Sequence, residues 1–200
     1  DCSVRWALAQ AYQTLEDPDQ AALYLDQITE LDLNATEQAV NMAEEVTRQW
    51  PQSGAAWFIR GKLAYKQNFW KEALDLLERA RKEGLGEIYQ VRLHDMLARA
   101  YHATENLQNA LANIRSAAAL APDDPAIRQE MVLIRLALID SEIDQLKKQS
   151  SEHPDNHQVA LSLADHLIKR GLYQEALPLL QSLVGTDAPQ TQVYLQMADC

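Results

Sequence analysis

The chain has 200 residues, of which 47% are hydrophobic and 24% are charged, and its formal net charge at pH 7 is -11. This amount of apolar side chain is enough to build a folded core, while the acidic balance disfavours nucleic acid and anionic membrane surfaces as partners. No apolar run approaches the roughly 18 residues of a membrane-spanning helix.

One short packing pattern recurs along the chain. It is centred on four alanines, with a small residue twelve positions earlier and a large aliphatic residue four positions later. The three sets are Ala21, Ala73, Ala110 and Ala176; Ala9, Gly61, Ala98 and Ala164; and Leu25, Leu77, Ile114 and Leu180. Small residues allow two helices to cross closely, and large ones fill the neighbouring holes. The pattern therefore predicts an array of packed helix pairs.

The first predicted repeat covers residues 2–33, and Asp17-Pro18 is a predicted N-cap followed by proline at the first helical position. Ala21 and Ala73 are 52 residues apart, which exceeds one repeat, so an extra helix is predicted over 35–50. Asn34 and Glu37 are predicted to form a capping box at its start. Two interpretations of this helix remain open: a phase break in the array, or half of a hairpin that pairs in a different register.

Regular repeats are predicted over 54–87 and 91–124. The 66 residues between Ala110 and Ala176 equal two repeats, so a degenerate repeat is predicted over 125–156. Its first helix would carry Ile127 and its second would carry Ile143, and Asp124-Pro125 predicts an N-cap at its start.

The last complete repeat is predicted over 157–190, and 191–200 is predicted to begin a further helix. We expect one continuous array over 1–200 that is a fragment of a longer protein, because no convincing polar cap follows Gln192.

The repeat over 54–87 resembles the tetratricopeptide repeat family. Trp57, Gly61, Trp70, Ala73, Leu77 and Ala80 stand where that family places its aromatic, small and aliphatic residues. The resemblance implies an all-α, right-handed superhelical solenoid of antiparallel helix pairs, with about 11–12 helices. It also implies that the first helix of each pair lines a concave groove that binds peptide or protein segments. A shorter stretch, Ile139 to Leu180, is similar to the helical tail of bacterial thioredoxin-linked chaperones.

Side chains on the first helices that packing does not use are the candidate binding residues. They are Trp6, Phe58, Lys62, Tyr65, Lys66, Arg92, Arg99, His102, Arg128 and Arg135. A row of cations with aromatic neighbours suits an acidic segment or a C-terminal carboxylate. The alternative is that these charges pair between neighbouring hairpins, for example Arg99 with an acid on the adjoining helix.

No arrangement of residues with catalytic or cofactor-binding spacing is recognised. His153 and His157 are four apart, but Pro154 breaks the helix that a paired zinc site would need, so no metal site is predicted. Cys2 and Cys200 do not define the cellular compartment.

We therefore expect a non-catalytic scaffold in an assembly, secretion or chaperone role. One alternative is a repeat region of a larger enzyme or transport protein. The other is a homo-oligomerisation module whose end helices stack on another copy.

Overall fold

The computed structural model describes residues 2–31 and 36–200, and all regular structure in these ranges is α-helical. The helices are α1 (Cys2–Thr14), α2 (Pro18–Leu31), α3 (Thr36–Gln49), α4 (Gly54–Lys66), α5 (Trp70–Glu83), α6 (Glu87–Ala103), α7 (Leu107–Leu120), α8 (Pro125–Glu152), α9 (His157–Arg170), α10 (Tyr173–Leu183) and α11 (Gln190–Ala198). Neighbouring helices pack in pairs, which confirms the predicted all-α array. The chain divides into two compact units, residues 1–131 and 132–200.

The recurring packing pattern forms the centre of each regular helix pair. The four central alanines and their large aliphatic partners are all at most 1% exposed. At the small position of the second pair, a Cβ added to Gly61 would lie 2.7 Å from Cγ of Leu77. The helices therefore cross where the sequence predicts, and at this crossing even a methyl group would force a neighbour to move.

Four hairpin turns share one backbone geometry. In each turn one residue has a positive φ, and the next N–H donates to the carbonyl five residues earlier. The positive-φ residues are Glu16, Asn68, Glu105 and Gly171, and the bonds are Asp17 to Tyr12, Phe69 to Ala64, Asn106 to Tyr101, and Leu172 to Leu167. This is the Schellman arrangement that commonly ends a helix. Only one of the four positions has the glycine that this geometry favours.

Side-chain caps fix two helix starts as predicted. Asp17 accepts a hydrogen bond from the Gln20 backbone N–H at 3.1 Å, and Asp124 accepts one from the Ala126 N–H at 2.8 Å. Both predicted N-caps before a proline are therefore confirmed. The predicted capping box includes Asn34, which lies outside the described residues.

The first unit has two layers of helices. Helix α4 packs against both α2 and α6, so these three form a first layer. Grooves between α1 and α3 and between α3 and α5 mark a second layer on the other side. Helix α3 packs against both α2 and α4. The extra helix α3 is thus the second-layer helix that follows α2. This corresponds to the interpretation of a hairpin that pairs in a different register.

Residues 125–156 do not form the expected hairpin. Helix α8 is continuous for 28 residues, from Pro125 to Glu152. The reason is local, because residues 126–153 contain no glycine, proline or asparagine that would turn the chain.

The second unit has its own apolar core. Ile143 of α8 clusters with Leu163 and Leu167 of α9 and with Ala176 of α10. A neighbouring cluster joins α9, α10 and the inner face of α11 through Val193.

Candidate functional site

Three of the predicted binding cations meet acids of α2 in the first layer. Asp26 of α2 is 6% exposed. Its carboxylate accepts from Lys62 Nζ of α4 at 2.6 Å and from both terminal nitrogens of Arg92 of α6, at 2.6 and 2.8 Å. One buried acid therefore links α2, α4 and α6.

Glu30, one turn further along α2, forms the outer part of this cluster. Its carboxylate lies 2.5 Å from Lys62 Nζ and 3.7 Å from Lys66 Nζ. Lys66 also donates to the Thr29 carbonyl at 2.6 Å. The side chain of Lys62 is 4% exposed, whereas that of Lys66 is 31% exposed. Only Lys66 of the two lysines is thus open to an external ligand.

The cluster sets the protonation of its acids. Burial raises the pKa of Asp26, but the hydrogen bonds from Arg92 and Lys62 outweigh burial and hold this pKa below its usual value. The hydrogen bond from Lys62 likewise lowers the pKa of Glu30. Both carboxylates are therefore charged at neutral pH, as their cationic partners require.

A second cluster lies on α6 and the start of α8. Arg99 Nε donates to both carboxylate oxygens of Asp95 at 2.9 and 3.0 Å, and Arg99 Nη1 lies 3.0 Å from Glu130. His102 Nδ1 lies 3.0 Å from the other oxygen of Glu130. Burial raises the pKa of Asp95 although Arg99 opposes the shift. The expected alternative, a pair between Arg99 and an acid on the adjoining helix, is thus present.

The aromatic candidates divide between core and surface. Phe58 is 0% exposed and packs its ring 5.1 Å from that of Tyr89, so the expectation that it faces a groove is wrong. Arg92 covers the Phe58 ring at 5.4 Å. Tyr65 is half-buried and packs edge-on against Trp70 at 5.3 Å. Tyr65 as a binding residue therefore remains a prediction.

The remaining candidates lie apart from these clusters. Trp6 lines the groove between α1 and α3, which belongs to the second layer. It lies there because the extra helix α3 shifts the register of the array. Arg128 is exposed on α8 and donates to the Asp123 carbonyl at 3.1 Å. Arg135 is exposed further along α8.

The acids that organise the surface were not among the candidates. Asp26 shares a helix face with Ala22 and Thr29, which are 0% and 4% exposed. An acid on a face that is otherwise buried is the signal that the sequence offered. Its partners are 36 and 66 residues away, so local spacing does not reveal them.

The two ion-pair clusters are together neutral. They contain four cations, Lys62, Lys66, Arg92 and Arg99, and four acids, Asp26, Glu30, Asp95 and Glu130. The chain as a whole has a net charge of -11. The clusters are therefore less repulsive to an acidic partner than the average surface of the protein.

Two further classes of site are absent from the part of the chain that the structure describes. No cluster of three or more histidine, cysteine or acidic residues is arranged to hold a metal ion. No helix within 2–31 and 36–200 is both long and apolar enough to cross a membrane.

Three tetratricopeptide repeat models match the sequence, one over residues 3–35, one over 28–86 and 60–125, and one over 136–192. No curated protein matches significantly. Among solved structures, YrrB, described as a TPR protein with an unusual peptide-binding site, is 17% identical, with 94% of this chain and 96% of that chain covered and a TM-score of 0.59. The thermophilic TPR protein TTC0263 of Thermus thermophilus is 17% identical, with 92% and 96% covered and a TM-score of 0.45. A double mutant of MamA RS-1 is 16% identical, with the same coverage and a TM-score of 0.48.

Proposed function

The chain belongs to the tetratricopeptide repeat family, and on that premise we propose that it is a non-catalytic protein-interaction scaffold whose first layer binds an extended segment of a partner protein. The binding surface consists of the outer faces of α4 and α6, with Lys66, Tyr65, Arg92, Arg99 and His102 as contacts. The biological role is the assembly, secretion or chaperone role expected from the sequence.

The observation that carries this proposal is that buried acids hold partly exposed guanidinium groups in place. Arg92 is 39% exposed and is held in bidentate fashion by Asp26. Arg99 is 30% exposed and is held by Asp95 and Glu130. A guanidinium has five N–H donors, so each arginine keeps donors for a ligand after these bonds are made. A side chain that is already ordered loses less conformational entropy on binding.

The chemistry of the ligand follows from the hydrogen-bonding groups that remain available after the ion pairs have formed. The carboxylates of Asp26 and Glu130 are occupied by cations, while Lys66, Arg92 and Arg99 still offer N–H groups. Such a surface favours oxygen acceptors, namely peptide carbonyls, acidic side chains and a C-terminal carboxylate. Because the charges of the two ion-pair clusters cancel, we expect a moderate salt dependence rather than the steep one of a basic patch.

The test is a selection from a displayed library of random peptides, in both internal and free C-terminal formats. We expect the enriched peptides to carry acidic residues or a free carboxylate. The double variant Lys66→Met with Arg99→Met should weaken their binding about tenfold or more, as loss of charged hydrogen bonds implies. Circular dichroism checks that helix content is retained.

The matched control is Lys82→Met, which removes an exposed cation from α5 in the second layer. It should leave peptide binding unchanged. Equal binding by the wild type and the double variant would overturn the proposed surface. Charge reversal at Lys62 is not a useful test, because the buried ammonium stabilises the fold.

A further inference from the structure

A groove on the second layer of the first unit runs between α3 and α5, with α4 at its base. Leu63, Ala64 and Leu76 form its floor and are at most 9% exposed. Its volume is about 200 Å³, whereas sites for small molecules commonly have roughly 300–1,000 Å³. The groove is bounded by helices on both sides, and it has room for one long side chain rather than for a free organic ligand.

The rim of the groove carries an aromatic residue that the local structure does not require. Phe69 stands at the turn position that Asp17 and Asn106 occupy in two other hairpins. Those two side chains cap the following helix by accepting from backbone N–H groups at 3.1 and 3.4 Å. Phe69 makes no such bond at the start of α5, and the residue is 56% exposed. A residue that breaks a local rule without an evident gain for the fold points to function.

The backbone holds Phe69 in a fixed place beside the groove. Its N–H donates to the Ala64 carbonyl at 3.0 Å, and its carbonyl accepts from the Ala73 N–H at 2.8 Å. An aromatic side chain has few rotatable bonds, so ordering it on binding costs little conformational entropy. The ring also attracts a cation placed over its face. Phe69 is therefore suited to contact a cationic partner at the mouth of the groove.

The charges of the groove lining favour a cationic ligand. The side chain of Glu44 is 46% exposed, and Arg60 Nη2 lies 3.9 Å from its carboxylate. The guanidinium of Arg60 also donates to Thr47 Oγ1 at 3.3 Å and lies 5.2 Å from the centre of the Trp57 ring. Glu72 is exposed and forms no ion pair in the part of the chain that the structure describes. The lining thus has two carboxylates against one guanidinium, in a chain whose net charge is -11.

We propose that this groove binds a lysine or arginine side chain of a partner protein. The methylene stem packs on Leu63 and Leu76, while the charged head group meets the carboxylates of Glu44 and Glu72 beside the ring of Phe69. An apolar side chain in the same place would remove water from both carboxylates without replacing its hydrogen bonds. The groove lies in the layer opposite the first-layer surface, so the two sites bind independently.

The test is a selection of displayed random peptides on the wild type, followed by a screen for recovered peptides that no longer bind Phe69→Asn. We expect these peptides to carry lysine or arginine. Replacing that residue of the peptide with methionine keeps an apolar stem and should weaken binding to the wild type about tenfold, as loss of a charged hydrogen bond implies. Glu72→Gln should weaken binding of the original peptide by a similar factor, and added salt should also weaken it.

Phe69→Asn is chosen because it introduces the residue that caps α7 in the next hairpin. It should therefore retain the stability of the wild type in urea while it loses these peptides. A marked fall in its stability would show that the ring supports the fold, and would overturn the assignment of Phe69 as a binding residue.

Two variants serve as matched controls. Asp75→Asn removes an exposed acid of α5 that does not line the groove, and Leu120→Asn replaces an apolar residue of α7 that is 54% exposed. Both should bind the peptides as the wild type does. The double variant Lys66→Met with Arg99→Met should also retain them, and this result separates the groove from the first-layer surface.

Three results would each overturn the proposal. In the first, no recovered peptide depends on Phe69. In the second, the peptides that depend on Phe69 lack lysine and arginine and bind Glu72→Gln unchanged, so the occupant is apolar. In the third, the double variant Lys66→Met with Arg99→Met loses the same peptides, so the first layer binds them.

Discussion

Replacing Asp26 with asparagine removes the negative charge that three helices share. Removal of one partner from a buried ion pair costs roughly 3–5 kcal/mol. After the change Lys62, which is 4% exposed, keeps the Glu30 carboxylate at 2.5 Å and the backbone carbonyl of residue 26 at 3.4 Å, while Arg92 is 39% exposed and turns towards water. We therefore expect a loss at the low end of this range, about 3 kcal/mol.

The assay is urea unfolding followed by tryptophan fluorescence. All four tryptophans, Trp6, Trp50, Trp57 and Trp70, lie in the first unit, so their signal follows the unit that contains Asp26. The matched control is Glu83→Gln, which breaks the partly exposed pair with Arg79 within α5 and should cost about 0.5 kcal/mol. Adding Lys62→Met to Asp26→Asn should recover most of the loss, because the unpaired buried cation is then gone. An Asp26→Asn loss no larger than that of Glu83→Gln would refute the reasoning.

The contribution of Asp26 to the stability of the protein depends on pH in a defined direction. The pKa of Asp26 is lowered in the folded protein, because the hydrogen bonds from Arg92 and Lys62 outweigh the effect of burial. The contribution of this carboxylate to stability is therefore present above the unfolded pKa of about 3.9 and is lost as the pH falls further. The difference in stability between wild type and Asp26→Asn should shrink below about pH 4.

Three further changes test other parts of the structure, each by urea unfolding. Glu105 has a φ of 60°, which is unfavourable for a residue with a Cβ, so Glu105→Gly should stabilise the protein by up to about 1 kcal/mol. A loss of stability would show that the backbone at this residue is not strained. Gly61→Ala places a Cβ 2.7 Å from Cγ of Leu77 and should cost roughly 1–3 kcal/mol, whereas Gly86→Ala, with no atom within 4 Å, should not show this loss. Tyr89→Phe removes a buried hydroxyl without a hydrogen-bond partner and should change stability by less than about 0.5 kcal/mol at neutral pH. Burial, followed by the charge of Asp26, raises the pKa of Tyr89 to about 12, so the wild type should lose stability above pH 10.0 and Tyr89→Phe should lose less.

Local sequence rules were sufficient for the helix pairs. Close crossings require residues such as Gly61 and Ala110, and these stand at fixed distances from large partners in the sequence. Caps such as Asp17 and Asp124 act on backbone groups two or three residues away. Interactions of this range are visible in a single sequence without knowledge of the fold.

The candidate surface depended on contacts that the sequence does not display. Lys62 appeared available for a ligand, but its partner Asp26 is 36 residues away on α2. The position of the repeats along the chain was a second difficulty. Counting in units of 33 residues predicted a turn between two helices at a point where α8 is continuous. Residues 139–142, where that turn was expected, contain no glycine, proline or asparagine, and this local absence was the better guide.

The carboxylate of Asp26 bonds Arg92 across α4, from α2 to α6. Helical repeat proteins are usually treated as one-dimensional chains in which each unit interacts only with its nearest neighbour. A bond that skips one helix adds a second-neighbour coupling to that description. Fraying of α2 from the amino-terminal end would then weaken α6 before α4 has detached, which sharpens the unfolding of this half beyond what pairwise stacking alone provides.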